Sequence, residues 1–115
     1  MGDQEGLDAV KAFIDSRHNE VVTIEKLARL ACMSPSKLKY SFRSAFGSPV
    51  YKYIMETRAR HAERLLMETD LPVAQVAGMV GYKKAGAFAA AFHKCAGKLP
   101  RDVRKQQHHS TTQPR

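Results

Sequence analysis

The sequence predicts an all-α protein: two helix-turn-helix subdomains joined by a long linker helix, about seven helices in all. Three observations lead there. The chain repeats itself. Leu27-Ala28, Ser34-Pro35-Ser36, Leu38, Phe42 and Gly47 are answered by Val76-Ala77, Lys83-Lys84, Phe88, Phe92 and Gly97. The offset is 49 residues before the turn and 50 after it, so the second copy carries one extra turn residue. Apolar residues also recur at helical spacing, and no segment shows the two-residue alternation of a strand. Finally, 115 residues with 43% hydrophobic content suit one compact domain or two very small ones.

A flexible lead is expected over residues 1–6, and the first helix from Leu7 to Arg17, with Leu7, Val10, Ala12, Phe13 and Ile14 near helical spacing and His18-Asn19-Glu20 as its end. The second helix covers Ile24 to Ala31. Thr23 is its N-cap, and Ile24, Leu27, Ala28 and Ala31 form its buried stripe. The third has the clearest start. Ser34 offers a capping hydroxyl, and Pro35 takes the first helical position, where a missing N–H costs nothing. Leu38, Phe42, Ala45 and Phe46 should face inward, and Gly47 suits the left-handed stop.

Ser48-Pro49 then opens the linker helix, which belongs to a segment spanning 48–69. Tyr51, Ile54, Met55, Arg58, Ala62, Leu65 and Leu66 trace its inner face. Its roughly 20 residues make a rod about 30 Å long. After Pro72 come a helix over Val73 to Val80 and another over Ala85 to Ala96, the latter turning in Phe88, Phe92, Cys95 and Ala96. A last short helix starts near Pro100. The first subdomain thus covers 7–47 and the second 70–105. The polar tail 106–115 reads as disordered.

Charge narrows the function. The chain carries 19 basic and 11 acidic residues, a net of +8, unevenly spread. Residues 1–33 hold 4 basic and 6 acidic groups, 34–69 hold 7 and 3, and 70–115 hold 8 and 2. The basic excess begins where the first repeat enters its second helix, which suits a polyanion partner. No apolar run reaches membrane-spanning length, and the polar start is not a secretory signal. Cys32 and Cys95 are expected as reduced, mostly buried thiols, placing the chain in the cytoplasm, in contact with the nucleoid. No metal site is expected, since His108 and His109 are adjacent and do not share a helix face. No cofactor is expected either. His61 lies near Glu63 and Glu68, but nothing assembles a nucleophile, base and oxyanion donor, so the chain does not read as an enzyme.

The outward faces suggest the partner. On the third helix, Ser36, Lys39, Tyr40 and Arg43 follow i, i+3, i+4, i+7 spacing opposite the apolar stripe, with Lys37 and Ser44 beside them. An α-helix fills the major groove of B-DNA, where such groups reach base edges or phosphates. On the sixth helix the matching face is Gly86, Ala89, Ala90 and His93. Lys83 and Lys84 precede it, with Lys94 and Lys98 near its end. Three of those four face residues carry no hydrogen-bonding side chain. This helix is therefore expected to meet DNA through phosphates, methyl contacts and DNA shape.

These residues resemble the DNA-binding domain of the AraC/XylS family of bacterial transcription regulators, over about residues 7–105. Three groups carry the resemblance: Leu27-Ala28 with Met33-Ser34, Leu38, Phe42 and Gly47; Tyr53, Arg58, Ala62 and Leu65-Leu66; and Val76-Ala77, Gly81-Tyr82, Phe88, Phe92, Gly97, Pro100 and Arg104. The resemblance implies two recognition helices entering successive major grooves of double-stranded DNA, one helical turn of about 34 Å apart. It implies base contacts from Ser36, Lys39 and Tyr40, and from Ala85, Gly86 and Ala90. It further implies a sequence-specific regulator, an activator, acting as a monomeric domain. The alternative is a protein-interaction module, docking for example on RNA polymerase, with only weak or non-specific DNA binding. Family members commonly carry a sensor domain ahead of this one, so the chain reads either as a stand-alone regulator or as the carboxy-terminal part of a longer one.

The sequence also departs from the family pattern. Cys32 stands where glycine is common, and a positive φ there would add strain of about 1–3 kcal/mol. Tyr40 and Ala90 stand where a basic residue is frequent, Gly86 replaces a usual serine, and Leu99 replaces the serine or threonine before Pro100.

Overall fold

The computed structural model describes residues 2–16 and 22–105. Among them it holds helices and turns and no strand. The helices are α1 (Asp3–Ser16), α2 (Ile24–Ala31), α3 (Pro35–Phe46), α4 (Val50–Glu68), α5 (Val73–Met79) and α6 (Ala85–Ala96). A seventh, α7, covers 100–105. The chain forms two compact units, one ending at Thr57 and the other beginning at Arg58. The expected end of the first helix and the tail 106–115 lie outside the described residues.

The first unit buries Leu7, Val10 and Ile14 of α1 against Ile24, Leu27, Ala28 and Ala31 of α2, Leu38 and Phe42 of α3, and Val50 and Ile54 of α4. The second buries Ala62 and Leu66 with Val76, Ala77, Val80, Phe88, Phe92 and Val103. The segment 48–69, expected as a separate linker, is therefore divided: its first apolar residues complete one core and its later ones the other.

α1 begins at Asp3, four residues before the expected Leu7, so residues 3–6 of the expected lead are helical. Asp3 and Glu5 sit in its first turn, where carboxylates favour the helix dipole. Gly6 is buried, because the backbone of α2 comes against it. A Cβ there would stand 2.7 Å from the Ala31 carbonyl oxygen. α1 is also tied to the start of α4. The Tyr53 hydroxyl donates to Asp15 Oδ1 at 2.5 Å, and Lys11 lies 5.5 Å from the Tyr53 ring centre. Tyr53, and then Asp15, hold the Lys11 ammonium above the usual lysine range.

The duplication is written in backbone hydrogen bonds. α2 ends with Cys32 N–H on Arg29 C=O at 3.1 Å and Met33 N–H on Ala28 C=O at 2.9 Å. α5 ends with Gly81 N–H on Gly78 C=O at 3.2 Å and Tyr82 N–H on Ala77 C=O at 2.9 Å. Both are the paired 5→2 and 6→1 bonds that stop a helix through a left-handed residue. Each requires a positive φ, 58° at Cys32 and 102° at Gly81. The second helix of each repeat stops alike, through Gly47 (φ 75°) on Arg43 C=O and Gly97 (φ 79°) on His93 C=O.

Arg104 fastens α7 back onto α4. Its Nε donates to the Leu66 carbonyl at 2.8 Å, one of the last-turn carbonyls that a helix leaves without an internal partner. Arg58, also on α4, sets its guanidinium 5.2 Å from the Tyr82 ring centre, over the turn between α5 and α6.

Several expected inward residues are not inward. Ala45 and Cys95 are exposed, and Tyr51 is 53% exposed. Ala12 is exposed as well. Cys32 and Cys95 are both exposed and not buried thiols.

Candidate nucleic-acid interface

α3 is held rigidly from below. Ser34 Oγ accepts from Lys37 N–H at 3.1 Å, and Pro35 opens the helix. Such a cap contributes about 1 kcal/mol. Leu38 and Phe42 are fully buried. Phe42 meets Phe46 edge-on at 4.7 Å between ring centres and Tyr53 at 5.7 Å. With Leu38 and Phe42 fixed inward, the opposite face is set by helical geometry. Ser36, Lys37, Lys39, Tyr40 and Arg43 are all exposed, Tyr40 at 78%.

The five are not equivalent. Lys37 Nζ pairs with Asp3 Oδ2 at 3.2 Å and Oδ1 at 3.4 Å, so α1 holds this cation at the edge of the face. Sequence reasoning missed the pair, because Asp3 lay in a segment expected to be flexible. Ser36, Lys39, Tyr40 and Arg43 form the face itself. It presents a hydroxyl, two cations and a phenol within two helical turns, the groups that bond phosphates and base edges.

On α6, Phe88 and Phe92 are buried and meet at 5.6 Å between ring centres. Phe88 also meets Tyr82 at 5.7 Å. Lys83, Lys84, Ala85, Gly86, Ala90, His93 and Lys94 are all exposed. Lys84 takes the N-cap place and its side chain makes no capping bond. The outer face offers methyl groups, one glycine and an imidazole, with cations before and after it.

Beside this face lies a feature the sequence did not disclose. A shallow groove of about 510 Å³ runs between α6, at Ala85, Gly86 and Ala89, and Val73 at the start of α5. Leu99, Pro100 and Arg101, at the entry to α7, complete its wall. Among the described residues, no three His, Cys, Asp or Glu side chains group to hold a metal. Nor, among the described residues, is any helix long and apolar enough to cross a membrane.

Two short helices meeting at a capped turn, twice over, with a polar outer face on the second helix of the first pair, define a helix-turn-helix protein. Comparison with known proteins agrees. The family model described as a helix-turn-helix domain matches residues 27–106. The chain is 32% identical over 97 residues to the arabinose operon regulatory protein of Salmonella typhimurium, covering 84% of this chain and 34% of that protein. It is 30% identical over 105 residues to the bifunctional transcriptional activator/DNA repair enzyme AdaA of Bacillus subtilis, covering 91% and 50%.

Among solved structures, the DNA-binding domain of the global transcriptional factor AdpA, in complex with a target DNA, superposes with a TM-score of 0.86 at 29% identity, over 93% of this chain and 96% of that one. The C-terminal domain of AraT, a response regulator from Geobacillus stearothermophilus, gives 0.85 at 25% identity, over 88% and 84%. The chain belongs to the AraC family of helix-turn-helix transcription regulators. It spans half or less of the length of those two curated relatives.

Proposed function

We propose that this chain binds double-stranded DNA sequence-specifically and activates transcription, with α3 as the principal reading helix. One observation carries the reading. Ser36, Lys39, Tyr40 and Arg43 stand exposed on one face of a helix whose other face is locked by Leu38 and Phe42. Lys39 and Arg43 reach guanine or phosphate, Ser36 reaches a base or phosphate near the helix start, and Tyr40 presses on a thymine methyl or bonds the backbone.

α6 enters a second major groove and adds affinity more than selectivity. Lys83, Lys84 and Lys94 take phosphates, while Ala85, Gly86 and Ala90 let the helix approach closely and His93 supplies one polar contact. That AdpA's domain was solved on its target DNA supports the same use of this fold here. The domain works as a monomer on the chromosome and performs no catalysis.

Selection of bound sequences from a random duplex pool tests the reading. The expected result is a strongly preferred segment with a second, weaker one about a helical turn away. Affinity should also fall steeply with salt through counterion release. No enrichment, or a flat salt response, would overturn the proposal.

A further inference from the structure

The start of α1 is fixed against the first repeat. Gly6 N–H bonds to Gly2 C=O at 3.0 Å and closes the first turn. A Cβ on Gly6 would stand 2.7 Å from the Ala31 carbonyl oxygen and 3.2 Å from Ala31 Cα, so this turn lies backbone against backbone on the end of α2. Leu7 is buried beside it. Asp3 belongs to that fixed turn, and its carboxylate reaches across to α3, meeting Lys37 Nζ at 3.2 and 3.4 Å. Two other acids of α1 are engaged elsewhere. Asp8 accepts from the Gln4 amide at 3.0 Å, and Asp15 takes Lys11 and the Tyr53 hydroxyl.

The pair singles out one cation of α3. Lys37 flanks the face formed by Ser36, Lys39, Tyr40 and Arg43. Among the described residues, neither Lys39 nor Arg43 pairs with a carboxylate. A lysine left unpaired on that flank would meet phosphates of any sequence, and phosphate contacts carry no sequence information. Binding to a wrong sequence consists almost wholly of such contacts, and its register is free to bring each cation to a phosphate. On the right sequence, base contacts fix the register of α3, and a flanking lysine has less freedom to find one. A counter-charge on Lys37 therefore weakens wrong binding more than right binding. Specificity is a difference of affinities and rises without any new attractive contact.

Building on the reading of α3 as the helix that reads DNA, we infer that Asp3 is a specificity-determining residue: by holding Lys37 it withholds a sequence-blind phosphate contact. The pair is partly exposed, 52% at the Lys37 side chain and 64% at Asp3, which bounds its worth at about fivefold in affinity. Asp3 thus sets how sharply the protein discriminates, and the face of α3 sets which sequence it prefers.

The test titrates the full chain, by fluorescence anisotropy, with the duplex selected from the random pool and with a random-sequence duplex, at salt from about 50 to 200 mM. Asp3→Asn should tighten the random duplex about three- to fivefold and the selected duplex less than about 1.5-fold. The ratio of the two affinities should then fall about two- to threefold. On the random duplex, the slope of log affinity against log salt should steepen by about 0.9, the mark of one added phosphate contact. Asp8→Asn removes the same charge from the same helix and should leave ratio and slope unchanged. In a Lys37→Gln background, Asp3→Asn should bring no gain on either duplex. An unchanged Tm confirms that the variants fold.

No gain on the random duplex, an equal gain on both duplexes, the same gain from Asp8→Asn, or a gain that persists without Lys37 would overturn the inference and leave α3 as the reading helix. A wild-type chain that does not prefer the selected duplex, or that loses nothing with Lys39→Ala and Arg43→Ala, would overturn the reading of α3, and the inference with it.

Discussion

Cys32 occupies a conformation that its side chain resists. It is the one non-glycine residue at positive φ among the described residues, at φ 58° and ψ 44°. The left-handed region costs an L-residue about 1–2 kcal/mol. Replacement by glycine removes that cost, but it also frees the unfolded chain, which takes back about 0.4–1 kcal/mol. Nothing else is lost, because the thiol is free and exposed and the two bonds of the turn come from the backbone. Cys32→Gly should therefore stabilise the first unit by about 0.5–1 kcal/mol, raising its Tm by about 2–8 °C. The reciprocal change, Gly81→Ala, should destabilise the second unit by about 1–3 kcal/mol, since φ 102° suits a side chain even less. Calorimetry of both variants under reducing conditions reads the midpoints, and hydrogen exchange of the α2 amides assigns the gain to the first unit. A midpoint unchanged or lowered by Cys32→Gly would refute the strain argument.

Four further outcomes are expected. Gly6→Ala should lower Tm despite a helix-propensity gain of about 1 kcal/mol, because its methyl would meet the Ala31 carbonyl oxygen at 2.7 Å and overpacking costs about 1–3 kcal/mol; Gly86→Ala, with open space around it, should raise Tm. Arg104→Ala should destabilise the second unit by about 1.5–3 kcal/mol, the worth of a charged hydrogen bond, measured by denaturant unfolding; an unchanged midpoint would show that the bond to Leu66 is idle. Lys39→Ala or Arg43→Ala should cost about 1–3 kcal/mol on the selected DNA site if the contact is bidentate to a base, and a gel-shift titration showing equal loss on random DNA would demote the residue to a phosphate contact. Ala90→Arg should tighten binding at fixed salt, and no gain would argue that this face of α6 does not lie in a groove.

What was legible in the sequence was whatever local chemistry decides. Thr23 and Ser34 cap through their own hydroxyls, accepting from Lys26 and Lys37 N–H groups at 3.1 Å, and both caps were readable from residue type. The left-handed stops at Gly47 and Gly97 were readable for the same reason. Periodicity placed Leu38, Phe42, Phe88 and Phe92 correctly, because large apolar side chains at the centre of a stripe have nowhere else to go. It failed at the margins. Ala45, Cys95 and Tyr51 gain or lose little by turning outward, so packing decides, and packing is not periodic.

The start of α1 was hidden because Asp3, Gln4 and Glu5 precede the first apolar repeat; their helix is settled by Gly6 meeting α2. Contacts far apart in sequence were invisible altogether. Lys37 finds Asp3 and Arg104 finds Leu66 only once the helices are assembled. The groove at Gly86 needs three elements at once, and no single segment signals it.

The two copies share a frame and differ in what secures it. α3 enters through Ser34, whose hydroxyl caps the helix. α6 enters one residue later through Lys84, without a side-chain cap. A missing cap costs about 1 kcal/mol, and Gly86 costs about as much again. Six alanines in the twelve residues of α6 offset that loss, since alanine is the strongest helix former. The small outer face of α6 thus has a stability role independent of any ligand, which is why its alanines alone are weak grounds for DNA contact. Arginine differs little from alanine in helix propensity. Ala90→Arg therefore adds a reading group without weakening the helix, and any change it makes in DNA affinity reports on the groove and not on the fold.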